Sequence, residues 1–132
     1  MTGEQFIDII IELESGGDLN AVGDNNRAFG CLQIRQDYLT DANKMLGTRY
    51  VLSQMMGNRD FSEKIVWAYM KRYARADRIG REPTALDLAR IHNGGPNGYK
   101  KIAQTQVYAD RFCRITWSRG LNPYEVVREV SS

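Results

Sequence analysis

The stretch ESGGDLNAVGDNNRAFGCLQI, Glu14 to Ile34, decides how the rest of the chain is read. It opens on a carboxylate at the foot of an amphipathic segment. Ser15, Gly16 and Gly17 then break the helix. A polar loop follows, with the turn signal Gly23-Asp24-Asn25-Asn26 and a second carboxylate in Asp24. Gly30-Cys31-Leu32-Gln33-Ile34 returns the chain to apolar packing. The stretch reads as a helix end, a tight loop and a return to the core, with at most a small irregular hairpin near residues 20–30.

Glu14 is in a position that suits acid chemistry. An acetal is inert at neutral pH unless its leaving oxygen is protonated as the bond breaks. A carboxylic acid does this only when its surroundings favour the neutral form. Ile10, Ile11 and Leu13 are expected to desolvate Glu14. The negative end of the helix dipole acts in the same direction. The pattern is that of a glycan-cleaving acid. The plainer reading is a solvated glutamate at a helix end. Asp24, by position alone, is a turn residue.

Composition narrows the classes. The chain has 132 residues, 42% hydrophobic and 26% charged, enough for one domain with a real core, and it reads as a single domain over residues 1–132. A net charge of +2 does not point to nucleic acid. No apolar run approaches the roughly 20 residues that span a membrane. Met1-Thr2-Gly3-Glu4-Gln5 lacks the basic and apolar regions of a secretory signal. Cys31 and Cys113 make neither a disulfide framework nor a zinc set, and are expected to be buried free thiols. These features lead to the expectation of synthesis in a reducing cytoplasm. No metal or cofactor is expected.

Outward from the central stretch, about six helices are predicted. Thr2 to Leu13 is the first, with capping-box spacing at Thr2 and Gln5 and an apolar face of Phe6, Ile9, Ile10 and Leu13. Ala21-Val22 and Ala28-Phe29 are the arms of the hairpin. Gln36 to Leu46 is the second helix, with Tyr38, Leu39, Ala42 and Met45 on one side and Gly47 after it. Tyr50 to Met56 is a short third helix, with Met55-Met56 as core filler. Asp60 to Arg78 is expected to be the longest, capped by Asp60 with Glu63 at the third position. Its apolar stripe is Phe61, Ile65, Tyr69 and Tyr73. Lys64, Lys71, Arg75 and Arg78 form a basic strip, read as a solvated face, with an anionic polymer as the alternative.

Pro83-Thr84 starts the next helix, with Thr84 and Asp87 at capping spacing. It ends within His92-Asn93-Gly94-Gly95-Pro96-Asn97-Gly98-Tyr99, a loop specified by three glycines and a proline. His92, the only histidine, reads from its apolar stripe as a core residue. Thr105 to Arg119 is the last clear helix. Tyr124, Val126, Val127 and Val130 are expected to dock as a partial helix.

Several motifs together resemble a known family. Glu14-Ser15-Gly16-Gly17, Asp24 and Gly30-Cys31-Leu32-Gln33-Ile34 resemble the first motifs of the lysozyme superfamily. Ala68-Tyr69-Met70-Lys71-Arg72-Tyr73-Ala74 and Ala89-Arg90-Ile91-His92-Asn93-Gly94-Gly95-Pro96-Asn97-Gly98 are similar to the invertebrate-type (destabilase) lysozymes. The likeness runs in order over roughly residues 10 to 112. The Glu-Ser-Gly motif is shared with soluble lytic transglycosylases and goose-type lysozymes.

The resemblance implies a mainly helical, α+β lysozyme-like fold with a substrate cleft between two lobes. It implies cleavage of the β-1,4 bond between N-acetylmuramic acid and N-acetylglucosamine in peptidoglycan strands. Carried over, Glu14 is the general acid and Asp24 the second carboxylate, with Ser15, Gln33, His92 and Asn93 as substrate-binding residues. Two departures stand out. The family is rich in disulfides, whereas this chain has two cysteines, as in a bacterial or phage-encoded form. The segment from Glu14 to Gln33 is also shorter, so Asp24 comes into register only across a gap; without it Gly23 falls there, and Asp18 follows Glu14 too closely. Two alternatives stay open: a lytic transglycosylase that uses Glu14 alone, and a non-catalytic glycan-binding module. No Ser/His/Asp or Cys/His set for isopeptidase chemistry is evident. Action on the cell wall would follow release, injection or lysis, through an export or lysis partner that the sequence does not name.

Overall fold

The computed structural model describes residues 1–128. Six α-helices and one two-stranded antiparallel hairpin make up the regular structure of these residues, joined by two 3₁₀ turns. The order is α1 (Gly3–Ser15), β1 (Val22–Gly23), β2 (Ala28–Phe29), α2 (Gln36–Leu46), a 3₁₀ turn at Leu52–Met55, α3 (Arg59–Tyr73), α4 (Ala76–Ile79), α5 (Ala85–Gly94), a 3₁₀ turn at Gly98–Lys100 and α6 (Ile102–Ser118). The mainly helical fold class expected from the sequence is the one observed. None of the described helices is long and apolar enough to cross a membrane.

The chain forms two compact units. One comprises Ile11–Tyr69; the other comprises Met1–Ile10 and the chain from Met70 onward. The divisions fall inside α1 and inside α3, so each of these helices contributes residues to both units.

The Ile11–Tyr69 unit is built around the hairpin and α2. Val22 pairs with Phe29 and Gly23 with Ala28, so the first arm lies one residue later than the predicted Ala21-Val22. Leu32, Ile34, Leu39, Ala42, Met55, Ile65 and Val66 are buried. Met45, expected on the apolar side of α2, is 44% exposed. Gly30 has φ +82, and a Cβ on it would come within 2.5 Å of the Met55 carbonyl oxygen. Only glycine fits that crossing of two backbones.

The cap of α3 differs from the expectation. Asn58, not Asp60, accepts the Phe61 N–H, on its Oδ1 at 3.0 Å. An asparagine just ahead of the first turn satisfies a donor that has no partner within the helix. The predicted long helix to Arg78 also stops early. The chain leaves α3 at Tyr73, Arg75 adopts extended backbone (φ −118, ψ 146), and α4 begins at Ala76. With α3 at 15 residues, α6 is the longest helix at 17.

In the second unit, Thr2 and Gln5 form the predicted capping box: Thr2 N–H donates to Gln5 Oε1 at 2.9 Å, and Gln5 N–H to Thr2 Oγ1 at 3.1 Å. Phe6 packs on Phe112 of α6 with ring centroids 5.8 Å apart. Thr84 caps α5, and the reciprocal bond from Thr84 N–H to Asp87 Oδ2 is 2.9 Å. Arg81 closes on the same carboxylate, donating from Nη2 to Oδ1 at 2.8 Å and from Nη1 to Oδ2. Up to residue 128, the last described, the tail is not the predicted partial helix. Its backbone instead joins other segments, with Ala85 N–H donating to Glu125 O and Leu86 N–H to Pro123 O. Val127 is buried, whereas Tyr124 and Val126 are exposed; Val130 lies outside the described residues.

Candidate active site

Glu14 lies one residue from the end of α1, half-buried. Ser15 ends the helix: its Oγ donates to Ile11 O at 3.1 Å and accepts the Gly17 N–H at 3.2 Å. These bonds fix the turn that follows Glu14. On α2 and α3 of the same unit, Tyr38 and Tyr69 stack with ring centroids 3.6 Å apart and planes 8° from parallel, and both are buried. Burial pushes the Tyr38 phenol well above its usual range, and the neighbouring Tyr69 and the charge of Glu14 add to the rise. Tyr38 is therefore a neutral hydroxyl within the electrostatic reach of the Glu14 carboxyl.

Asp24 opens the hairpin turn. Asp24, Asn25 and Asn26 all have left-handed backbone, at φ 52, 54 and 65, and Gln33 joins them at 54. Among L-residues, Asn and Asp enter this region most readily because their short side chains bond locally. Arg27 N–H closes the turn onto Gly23 O at 3.1 Å. The Asp24 carboxylate is exposed and accepts from Arg35 Nη2 at 2.8 Å. A pocket of about 400 Å³ opens here, lined by Asp24, Asn26, Phe29, Arg35, Asp37 and Leu52 among others. Charged groups, an amide, an aromatic ring and an apolar side chain around one hollow suit a polyhydroxylated ligand.

Gln33 holds the loop from inside. Its Nε2 donates to Ala21 O at 3.2 Å and Gly30 O at 3.0 Å. Its Oε1 lies so close to Gly23 that a Cβ there would overlap it. The amide thus joins the two ends of the hairpin, beside the residue that precedes Asp24.

His92 and Asn93 belong to the other unit. Both fall in the last turn of α5, His92 buried and Asn93 exposed. Gly95 caps this helix at φ 88, and its N–H donates to Ile91 O at 2.9 Å. Gly98 lies against the Arg90 carbonyl, where any Cβ would overlap backbone. The glycines of this loop therefore serve close packing as well as turning.

The structure brings Glu14, Ser15, Asp24 and Gln33 into one unit and places His92 and Asn93 in the other. Sequence reading missed Arg35, which no periodicity or motif singles out. It also missed the pairing of Tyr38 with Tyr69, which stood on separate apolar stripes. Cys31 and Cys113 are free; Cys31 is buried and Cys113 half-buried, less enclosed than expected. Burial pushes both thiols up, against partial offsets from Arg59 at Cys31 and Arg90 at Cys113. Among the described residues, no three His, Cys, Asp or Glu side chains gather as a metal site.

The comparisons with known proteins agree. The family model described as Destabilase matches residues 3–115. A chain in the crystal structure of Aeromonas hydrophila PliI in complex with Meretrix lusoria lysozyme is similar at 28% identity and a TM-score of 0.73, over 92% of this chain and 96% of that one. Tapes japonica lysozyme is similar at 30% identity and a TM-score of 0.71, over 90% and 94%. On the extent of these matches, the chain belongs to the destabilase family, the invertebrate-type lysozymes.

Proposed function

We propose that this protein is a muramidase, hydrolysing the β-1,4 bond between N-acetylmuramic acid and N-acetylglucosamine in peptidoglycan. The observation that carries the proposal is Glu14, half-buried at the end of α1 where Ser15 fixes the following turn, in a chain matched to the family over residues 3–115. In this mechanism Glu14 protonates the glycosidic oxygen as the bond breaks. Asp24 supplies negative charge to the oxocarbenium-like transition state, or attacks it from the opposite face. Water then completes the hydrolysis.

Glu14→Gln tests the acid. Gln keeps the shape and removes the transferable proton. Clearing of purified cell walls is expected to slow by roughly a hundred- to ten-thousandfold, with unchanged circular dichroism. A folded variant with wild-type clearing would remove Glu14 from the mechanism.

One observation favours a second reading, a lytic transglycosylase. Asp24 is exposed and already bonded to Arg35, as a purely structural turn residue would be. In that reaction the 6-hydroxyl of the muramic acid attacks, and Glu14 suffices. Product mass separates the two: hydrolysis adds a water and leaves a reducing end, whereas transglycosylation leaves a 1,6-anhydro end.

A further inference from the structure

Arg78 stands out because three uncharged acceptors, drawn from two separate segments, hold it at once. Its Nη1 donates to Tyr73 O at 3.1 Å and to Pro96 O at 2.6 Å, and its Nη2 donates to Asn97 Oδ1 at 2.8 Å. The guanidinium carbon lies 5.3 Å from the Tyr73 ring centroid and 5.7 Å from that of Tyr99. One planar cation thus joins the end of α3 to the Pro96-Asn97 turn and is flanked by two aromatic rings. The break between α3 and α4 makes this possible. Had α3 continued to residue 78, Tyr73 O would have been an acceptor within the helix, and Arg78 would have stayed with the basic strip. The other strip members behave differently: Lys64 donates to Tyr50 Oη, Arg75 bonds Asp77, and Lys71 is exposed.

We infer that Arg78 is a positioning residue for glycan binding: it holds the Pro96-Asn97 turn, and through that turn the His92-Asn93 end of α5, in one conformation. This rests on the muramidase reading, with His92 and Asn93 in the substrate-binding role that the family resemblance implies for them. The link between turn and helix is short. Gly98 N–H donates to Gly95 O at 2.8 Å, and Gly95 N–H donates to Ile91 O. A turn released from Arg78 releases the cap of α5 with it. Gly94 to Gly98 has three glycines and cannot hold one shape by its own torsional preference. A bidentate, stacked guanidinium supplies what the loop lacks, and a lysine ammonium cannot reproduce it.

The test compares wild type, Arg78→Lys and Asn97→Ala on soluble peptidoglycan fragments. Asn97 is exposed, so its variant removes one bond of the clamp with little threat to folding. Both variants are expected to raise KM by roughly tenfold, the equivalent of one charge-assisted hydrogen bond, with kcat unchanged. The Gly98 amide should exchange with solvent faster in both. A role in stability alone would lower the melting temperature and leave the KM of the folded protein untouched. Wild-type KM in Asn97→Ala, with equally slow Gly98 exchange, overturns the inference even if Arg78→Lys fails to fold. An inactive wild type would overturn the muramidase reading and with it any role in positioning glycan. An active wild type with unaffected variants overturns the positioning role alone.

Discussion

The two loops that carry the candidate site residues are held in opposite ways. In the hairpin turn of the Ile11–Tyr69 unit, residues with side chains take the left-handed backbone: Asp24, Asn25 and Asn26. In the loop after α5, glycine takes it, with Gly95 at φ 88, and a distant arginine clamps the turn. Left-handed backbone is unfavourable for residues other than glycine, least so for Asn and Asp. A chain that needed only a turn at 24–26 would be served by glycine. The difference teaches that the hairpin keeps its side chains at a backbone cost, whereas the second loop is shaped for close packing and presents the helix end beside it.

Of the two loops, the hairpin should give the larger effect. Asp24→Asn is expected to reduce wall cleavage by roughly a hundred- to a thousandfold, the range for losing a preorganised group at developing charge. Stability should hardly move, because the pair with Arg35 is exposed on both sides and worth less than about 1 kcal/mol. Activity is read by clearing of cell walls, and stability by thermal melting. Retained activity together with anhydro products would make Asp24 a turn residue and the enzyme a transglycosylase. The hairpin's cost would then need another explanation.

Substitutions at the other loop should cost less. His92→Ala and Asn93→Ala are expected to lower activity by roughly tenfold, through substrate positioning and not through proton transfer. Asn93 is exposed, so its variant should melt as wild type does. His92 is buried, and its variant also asks whether sequence reading was right to see a core histidine. If His92→Ala mainly unfolds the protein, with unchanged activity in the folded fraction, His92 belongs to the core and the contrast narrows to Asn93.

Much of this architecture was legible from local chemistry. The Thr2–Gln5 and Thr84–Asp87 boxes read correctly because a cap depends on residues three apart. Gln36–Leu46 read correctly because its apolar period and its Gly47 stop agree. Two of the misses, the break after α3 and the partner of Asp24, share one physical cause: a side chain acting across many residues. Arg78 reaches Pro96 and Asn97, Arg35 reaches Asp24, and neither pairing follows from spacing along a helix face. The α3 break was missed because its signal lies in those distant partners, while Ala74 to Arg78 has good intrinsic helix propensity. At the candidate site, the place of Glu14 in the last turn of α1 was legible because Ser-Gly-Gly stops the helix just after it. The stacking of Tyr38 on Tyr69 was not, because the two rings come from different helices.

A third prediction concerns the frame of the second loop. Asp87 is buried beneath Thr84 and Arg81. Burial alone would raise its carboxyl, but the Arg81 hydrogen bonds and charge, with the amide and hydroxyl of Thr84, outweigh that and hold it below the usual value of 3.8. A carboxyl lowered on folding contributes stability that is fully present above its unfolded value. That contribution is lost as pH falls through the folded one. Asp87→Asn should therefore destabilise the protein by about 2 kcal/mol at neutral pH, where a charged pair and a cap are both weakened. The gap between wild type and variant should shrink below about pH 3.8. A gap that stays constant down to pH 2 would show that Asp87 acts through shape and not through charge.

The most direct probe of the contrast exchanges the two strategies, and its second substitution has the smallest expected effect. Gly95→Ala places a Cβ where φ is 88 and ψ is −169, a region essentially reserved for glycine, so about 1 to 3 kcal/mol should be lost although no atom beyond its chain neighbours lies within 4 Å of the new methyl. Asn26→Gly does the reverse. It relieves a left-handed asparagine at φ 65 but adds freedom to the unfolded chain, and the two nearly cancel, leaving a change of about 0.5 kcal/mol or less. Activity then decides what the side chain is for. Asn26 lines the pocket beside Asp24, so its amide is expected to bind glycan, and KM should rise while the melting temperature stays put. If KM and melting temperature are both unchanged, the asparagine is present only because it tolerates the turn. The hairpin would then differ from the second loop in backbone alone, and the case for its side chains would rest on Asp24.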